Sequence, residues 1–391
     1  MTIEAGAVHL WILCTILESS FMALSVIIAG DVVPPVSLNE GISIYEPLKS
    51  FLSEADCSIV NLEAPVLDRV SAPIKKSGPS LFTTESSVKQ LSDAGFKVVT
   101  LANNHFFDYS QAGVDSTIDA CQKFGLKTVG GGKSLNEAQK PLLYSKKDKT
   151  IAIINACEHE FSIAEPGHGG SNPLDIIQMQ EDIARVRPLA DFVIVIAHGG
   201  VENYQFPTPR MKRWYRHFVD LGADVVVNHH QHCICGYEVY RGKPIFYGLG
   251  NLYFPLRDSM VKYDTWQYGC LVRLSLGERI DYELIPYKQS SEGITIRDLE
   301  EFNKEIELLN LPIKDDYLLQ QKFDEYLLDK EGELKMSLLP GFMKRGLVSS
   351  ALKRGWMGKV YSGRSLYSLK NRLACESHHE ALSRLFSILT K

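Results

Sequence analysis

Residues 222–232, Gly-Ala-Asp-Val-Val-Val-Asn-His-His-Gln-His, set three imidazole side chains directly behind a short run of valines. Such a run of β-branched residues predicts a buried strand, and α/β folds bind ligands just beyond the carboxyl ends of their strands. Three histidines within four residues have no packing function. This stretch therefore predicts a metal-binding edge of an α/β sheet.

Up to about residue 286, short apolar runs typical of strands alternate with segments whose pattern is typical of helices. The alternation predicts an α/β sheet with helices on both faces. A hairpin at 237–247 and two later strands indicate that the sheets are mixed and not purely parallel. The predicted strands cover residues 25–29, 57–61, 97–101, 150–155, 192–197 and 225–228, and the predicted helices cover residues 45–55, 85–94, 111–124, 175–186 and 208–221.

Side chains that could bind a metal follow five of these predicted strands. Each has a structural explanation by itself, such as a left-handed turn at Asn103 or a hydrogen-bonded core histidine at His198. Their shared position favours a metal site, because neutral imidazole and carboxylate suit Zn²⁺, Fe or Mn²⁺, and a bridging carboxylate commonly holds two ions. The set comprises Asp31, Glu63, Asn103, Asn104, His105, Asp108, His198, His229, His230 and His232.

His105 and Asp108 add a mechanism to this site. At a spacing of three residues in a turn, the two side chains lie on one face. Asp108 can then orient His105, which can protonate a leaving group or stabilise a negative transition state. Asn104, one residue earlier, points elsewhere and can bind a metal.

Taken together, the motifs resemble the bacterial capsule-synthesis CapA family of poly-γ-glutamate biosynthesis. That family is similar to calcineurin-like metallophosphatases, so the resemblance implies a four-layer α/β/β/α sandwich with mixed sheets. The match covers about residues 24–287, roughly two-thirds of the chain. The motifs that carry it lie at residues 30–31, 61–63, 101–108, 198–204, 222–232 and 242–251.

The resemblance implies two divalent metal ions, either Mn, Zn or Fe, bridged by Glu63. It makes Asp31 and His232 ligands of the first ion. The second ion would take Asn104, His198 and either His229 or His230, and the His-x-His spacing favours His230. His105 and Asp108 would form the catalytic pair. Residues expected beside the substrate are Asn103, Tyr204 and Asn251.

This sequence departs from the pattern of that family in one important place. Many metallophosphatases open with Asp-x-His, whereas Val32 and Val33 follow Asp31 here. One metal position would therefore have fewer ligands.

The function predicted from these residues is a divalent-metal-dependent hydrolase of phosphoester or amide bonds, including γ-glutamyl bonds, in capsule or surface-polymer biosynthesis. Its substrate would be an anionic polymer or a small phosphoester or peptide. The alternative is a catalytically weak, polymer-binding accessory protein of a capsule or exopolysaccharide assembly machinery. The histidine missing after Asp31 favours the accessory protein, and the intact pair of His105 and Asp108 favours the enzyme.

Composition and the N-terminal residues set outer limits on this prediction. With 391 residues, 45% hydrophobic content and a net charge of −5, the chain is neither disordered nor a globally basic nucleic-acid binder. The eight scattered cysteines favour thiols in a reducing compartment. The apolar residues 5–17 are too few to span a bilayer, which needs about 20. Residues 1–21 are therefore interpreted as a leader, a mis-called start or a weak anchor, followed by a domain at 22–290.

Residues 291–391 are predicted to form a mostly helical, basic extension, with helices at 296–309, 317–329 and 376–389. From Lys335 to Arg372 there are nine Lys and Arg residues and no Asp or Glu. Basic residues interleaved with aromatic ones can bind an anionic polymer or a membrane surface, or they can lie solvated against an acidic domain. We expect a cytoplasmic protein with peripheral membrane contact through this segment, or alternatively one anchored at the cell surface, and no specific nucleic-acid partner.

Overall fold

The computed structural model describes residues 23–35, 44–67, 71–255, 264–331 and 364–389. The predicted leader at 1–21 lies outside the described residues, as does the basic segment up to residue 363.

The strands form two large mixed sheets and one small pair. The first sheet has the order β16-β15-β14-β1-β2-β3-β4, with β13 paired to the end of β1, the second has the order β11-β12-β10-β9-β7-β6, and β5 pairs with β8. In chain order the strands are β1 (Leu24–Val32), β2 (Cys57–Leu62), β3 (Val98–Thr100), β4 (Lys127–Val129), β5 (Gly131–Gly132), β6 (Leu142–Lys146), β7 (Lys149–Cys157), β8 (Gly170–Ser171), β9 (Phe192–His198), β10 (Val225–His229), β11 (Tyr237–Tyr240), β12 (Lys243–Phe246), β13 (Asn251–Tyr253), β14 (Tyr268–Leu276), β15 (Ile280–Ser290) and β16 (Gly293–Ile296).

The side chains of β1 alternate between two apolar cores, as the two-residue period of a strand requires. Val26 and Ile28 pack between the two sheets, where they meet Ile194 of β9. Ile27 and Ala29 face the opposite way, toward helices. On the far side of the second sheet, a third core contains further helices. The layers therefore run helix, sheet, sheet, helix, which confirms the predicted four-layer sandwich.

The helices begin at residues that can cap them. Thr84 and Asp175 each accept a hydrogen bond from the backbone N–H three residues later, which satisfies a group that a helix leaves unpaired. Thr208 does the same, followed by Pro209 at the first helical position. The helices are α1 (Lys49–Glu54), α2 (Glu85–Ala94), α3 (Ser110–Lys123), α4 (Leu135–Ala138), α5 (Ile176–Val186), α6 (Pro209–Asp220), α7 (Leu299–Lys314), α8 (Asp316–Asp329), α9 (Arg364–Ala374) and α10 (Glu376–Leu389).

The C-terminal helices pack onto the sandwich. Phe302 and Ile306 of α7 enter the core between the two sheets, and β16 adds a further strand after residue 290. Leu385 of α10 packs with Phe323 of α8. None of the described helices combines the length and the apolarity needed to cross a membrane.

The structure differs from the predicted elements where a strand or helix has a weak pattern. β6 is a partly exposed edge strand, and its residues lack the apolar run that identified the central strands. The helix predicted at 45–55 is a 3₁₀ turn followed by α1, with Pro47 in the first positions of that turn.

Candidate metal centre

The carboxyl ends of strands from both sheets meet at one edge of the sandwich. β1, β2 and β3 run parallel in the first sheet, and β7, β9 and β10 run parallel in the second. Their ends bring together all seven predicted metal ligands, which are buried: Asp31, Glu63, Asn104, His198, His229, His230 and His232.

Asp31 is aimed into the site by an irregularity in β1. Its pairing with β2 shifts register between Ile28 and Asp31, as in a β-bulge, which redirects the side chains that follow it. Asn61 donates from Nδ2 to Asp31 Oδ1 at 2.6 Å, and the backbone N–H of His230 donates to Asp31 Oδ2 at 2.9 Å. Both carboxylate oxygens are therefore held in a fixed orientation.

Glu63 lies at the centre of the cluster and is fully buried. Among the described residues, neither of its carboxylate oxygens has a hydrogen-bond partner. Its Oε1 lies 3.6 Å from His232 Nε2 and 3.8 Å from His198 Nε2. Burial, followed by the charge of Asp31, raises the pKa of Glu63 well above its usual value. A buried carboxylate without donors fits a position beside a cation.

Two sets of three potential ligands share Glu63. Asp31, Glu63 and His232 form the first, and Glu63, His198 and His230 form the second, with the ligand atoms of each set within 4.8 Å of one another. Burial lowers the pKa of His198 and of His232. Their rings are thus in the neutral form that binds metals. The chemistry of these side chains fits the binding of divalent metal.

The remaining predicted ligands occupy different positions relative to these sets. Asn104 Oδ1 lies 3.2 Å from His198 Nε2, beside the second set. His229 lies outside both sets, and its Nε2 donates to the backbone oxygen of Ala29 at 3.0 Å. His230 belongs to the second set, and its backbone has φ of 88°, in the left-handed region that few non-glycine residues adopt. This geometry favours His230 over His229 as the ligand.

His105 and Asp108 form a pair at the edge of the cluster. His105 Nδ1 lies 2.7 Å from Asp108 Oδ2, and the backbone N–H of Leu81 donates to the same oxygen at 2.7 Å. Lys76 forms an ion pair with Asp108, and its Nζ lies 3.1 Å from His105 Nδ1. Burial, and after it the charge of Lys76, lowers the pKa of His105. Nδ1 is engaged, so Nε2 is the nitrogen left for a ligand.

A cleft of about 150 Å³ opens beside this pair. One wall comes from the sandwich and carries Lys76, Asn104 and His105. The other comes from the C-terminal helices, with Arg372 on α9 and His378 on α10. The cleft therefore borders His105 and the candidate ligand Asn104.

The three residues predicted beside the substrate have other contacts in the structure. Asn103 donates to the backbone oxygen of Leu62 at 2.9 Å and so holds the loop after β3. Asn251 Oδ1 lies 2.9 Å from His232 Nδ1 and orients that ring. The ring of Tyr204 packs against α8 and α10, in the apolar cluster of Phe323. These contacts hold the three side chains in place, and their position beside a substrate stays a prediction.

Several residues of the cleft were not predicted from the sequence. Lys76 lies in a stretch without regular structure, and neither periodicity nor strand ends could point to it. Glu160 follows β7, where the predicted strand ended without a recognised motif. Glu202 lies within one of the quoted motifs and is grouped with His230 and His232, but no role was assigned to it.

The family model of the bacterial capsule synthesis protein PGA_cap matches residues 25–256. The PGA biosynthesis protein CapA of Bacillus subtilis (strain 168) is 32% identical over 267 residues, which cover 65% of this chain and 69% of that protein. The capsule biosynthesis protein CapA of Bacillus anthracis is 30% identical over 220 residues, which cover 54% of this chain and 53% of that protein. Among solved structures, the 5′-nucleotidase from Candida albicans SC5314 superposes with a TM-score of 0.39 at 10% identity, covering 77% of this chain and 56% of that chain.

Proposed function

Because the chain belongs to the PGA_cap family of bacterial capsule synthesis proteins, we propose that it is a divalent-metal-dependent hydrolase that cleaves a phosphoester or an amide, such as a γ-glutamyl bond, in the formation of a capsule or surface polymer. The matched residues make up more than half of the chain, which confirms the resemblance to the CapA family. The hydrolytic reaction and the bond that is cleaved are the parts that we propose.

The observation that carries the proposal is the position of Glu63. Two sets of ligands meet at a carboxylate that is fully buried and has no hydrogen-bond donor among the described residues. Burying a carboxylate without a partner costs free energy, which a purely structural site would not offset. A carboxylate shared by two cations would have that partner. The residues that would hold the ions are Asp31, Glu63, Asn104, His198, His230 and His232.

Divalent ions held there would polarise a phosphoryl or acyl oxygen and lower the pKa of a water molecule. His105 would supply the proton to the leaving group from Nε2. Asp108 fixes the ring through Nδ1. Because the pKa of His105 is lowered, the free protein carries a neutral imidazole, and a bound anion would favour its protonation. Lys76, fixed by Asp108, places a positive charge at the same wall of the cleft.

The first test measures metal content. Purified wild-type protein, Glu63→Gln and His232→Ala are loaded with Mn²⁺ or Zn²⁺, dialysed and analysed by mass spectrometry for metal. We expect Glu63→Gln to lose both ions and His232→Ala to bind one ion about 10- to 100-fold more weakly. His379→Ala, a change at an exposed histidine of α10, serves as the control. Equal metal content in wild type and Glu63→Gln would overturn the metal centre.

The second test measures hydrolysis by the metal-loaded protein. A panel of phosphoesters and γ-glutamyl peptides separates the two bond classes. We expect His105→Ala to retain its metal and to lower kcat by about 10²- to 10⁴-fold, because general acid catalysis contributes that much. Wild-type protein that binds metal and cleaves neither class would exclude the hydrolase.

One observation favours the accessory protein as a second candidate. The set of Asp31, Glu63 and His232 has three ligands, and Val33, where many metallophosphatases have a further histidine, lies in an apolar cluster with Phe254 and Trp266. A metal position with few ligands would suit a protein that binds a polymer without cleaving it. Metal-dependent polymer binding without hydrolysis is the result that this candidate predicts.

A further inference from the structure

α9 and α10 form a fixed wall over the candidate metal centre. Arg210 of α6 forms ion pairs with Glu158, which follows β7, and with Glu380 of α10. Ser377 donates from its backbone N–H and its hydroxyl to Glu158, at 3.1 Å and 2.8 Å. Glu158 is 3% exposed. A buried network with this many charge-assisted bonds holds α10 in one place against the sandwich.

Arg372 on this wall has a cationic side chain that forms no ion pair with any described residue. It is half-buried and lines the cleft, yet no carboxylate of a described residue lies within 4.0 Å of it, and its Nε has no hydrogen-bond partner among those residues. Every other half-buried arginine in the described ranges forms an ion pair with a carboxylate. Those arginines are Arg187, Arg210, Arg216, Arg273, Arg297 and Arg384.

Asn371, the preceding residue, has the same property. It is 8% exposed and lines the cleft. Its Oδ1 has no hydrogen-bond partner among the described residues, and its Nδ2 lies 3.4 Å from His378 Nδ1. Two adjacent residues thus leave buried polar atoms unpaired at one cavity, and buried polar groups in proteins are otherwise almost always paired.

The acidic residues of the cleft are already engaged elsewhere. Glu160 accepts from Asn104 Nδ2 at 3.4 Å and lies 3.9 Å from His230 Nε2. Glu202 is grouped with His230 and His232. Lys76, on the facing wall, is paired with Asp108. The charge of Arg372 remains for a ligand.

We propose that Arg372 and Asn371 bind an anionic group of the ligand, a phosphate or a carboxylate, next to the candidate metal centre. The planar guanidinium can donate two parallel hydrogen bonds to two oxygens of such a group. The cleft of about 150 Å³ has room for one small charged group. This anion site depends on the proposed function in one respect: it assumes that the ligand of that function binds in this cleft.

The test is direct binding of two small anions, which requires no hydrolysis. Inorganic phosphate and glutarate are each titrated calorimetrically into the Mn²⁺-exchanged full-length protein. We expect wild type to bind at least one of them and Arg372→Gln to bind it about 10-fold more weakly, the usual contribution of a hydrogen bond to a charged group. Arg372→Lys keeps the charge but cannot donate two parallel hydrogen bonds, so its affinity should lie between those of wild type and Arg372→Gln. The anion that is bound identifies whether phosphate or carboxylate is recognised.

The matched control is Lys370→Gln, which removes an exposed cation from the same helix. It should bind as wild type does, and circular dichroism should show equal thermal unfolding for all variants, because Arg372 has no ion pair within the described residues. If Arg372→Gln binds both anions as tightly as wild type, or if wild type binds neither, the anion site is overturned. Anion binding is measured without hydrolysis, so a protein that lacks hydrolase activity can still bind the anion. The anion site and the hydrolase proposal can therefore be overturned independently.

Discussion

Gly30 is the residue that allows β1 to approach the loop before β13. A Cβ atom added to Gly30 would lie 1.9 Å from the backbone oxygen of Gly250, a distance that no side chain can occupy. The backbone N–H of Asp31 donates to that same oxygen at 3.2 Å. The position of Asp31, a candidate metal ligand, therefore depends on the absence of a side chain at residue 30.

We predict that Gly30→Ala lowers the free energy of unfolding by about 1–3 kcal/mol, the usual cost of overpacking a buried site. Because Asp31 must move with the backbone, Mn²⁺ affinity should fall as well. Denaturant unfolding and metal titration measure the two effects. Gly277→Ala is the control, since its nearest contact would be Ala23 Cβ at 3.3 Å. If Gly30→Ala changes neither the stability nor the Mn²⁺ affinity, the loop that contains Gly250 moves to make room for the added methyl group.

The clustering of these carboxylate and imidazole side chains could be predicted from the sequence, because each follows a strand directly and parallel strands end at the same edge. The choice between His229 and His230 could not be settled in this way. It depends on the left-handed backbone of His230 and on the hydrogen bond of His229 to Ala29. The packing of Tyr204 against Phe323 and Leu385 could not be predicted either, because it depends on helices more than 100 residues later in the chain.

At the scale of elements, the central strands could be predicted from their apolar runs, whereas the position of α9 and α10 could not. α10 is amphipathic, with buried positions such as Leu382 and Leu385, so its existence follows from its own sequence. Its docking depends on residues far away in the chain, including His159 and Glu158. These long-range polar contacts, together with the packing of Leu385 against Phe323, bring the helices to the cleft, and neither kind of contact has a local sequence pattern.

One of these contacts should make the docking of α10 depend on pH. His159 Nδ1 lies 2.5 Å from Glu376 Oε1, and this hydrogen bond raises the pKa of His159 above 6.5, against a smaller opposing effect of burial. A raised pKa in the folded state stabilises the protein below about pH 6.5, and this contribution is lost as the pH rises through the raised value. Because His159 is 37% exposed, we expect less than about 1 kcal/mol.

Thermal unfolding of wild type and His159→Gln, followed from about pH 5.5 to about pH 8.5, measures this contribution. The stability difference should be largest at the acidic end and should disappear at the alkaline end. A difference that stays constant with pH would mean that the imidazole acts through packing alone.

For the whole molecule, charge is unevenly distributed. The segment from Lys335 to Arg372 contains nine basic residues and no acidic ones, and its last residue lies in the cleft. We propose that the rest of this segment brings the protein to an anionic membrane surface, in the cytoplasm or, as the alternative, at the cell surface. Basic residues near such a surface contribute about 1 kcal/mol each.

Replacing Lys344, Arg345, Lys353 and Arg354 by Gln should therefore weaken binding to phosphatidylserine-containing vesicles by at least about tenfold. Co-sedimentation at low and high salt measures this binding. The same variant should keep its metal, since the ligands lie before residue 233. Wild-type protein that fails to sediment with anionic vesicles at low salt would exclude membrane docking.

One side of the cleft is formed by residues early in the chain and the other by residues late in it. The two sides are therefore synthesised at different times. The metal ligands and Asn251 are translated roughly 120 residues before Arg372. At a synthesis rate of about 5–20 residues per second, the nascent chain exposes its ligand cluster for roughly 6–24 seconds before the second wall exists. If the candidate centre binds an ion, that ion has an open side to enter by until α9 and α10 complete the second wall of the cleft.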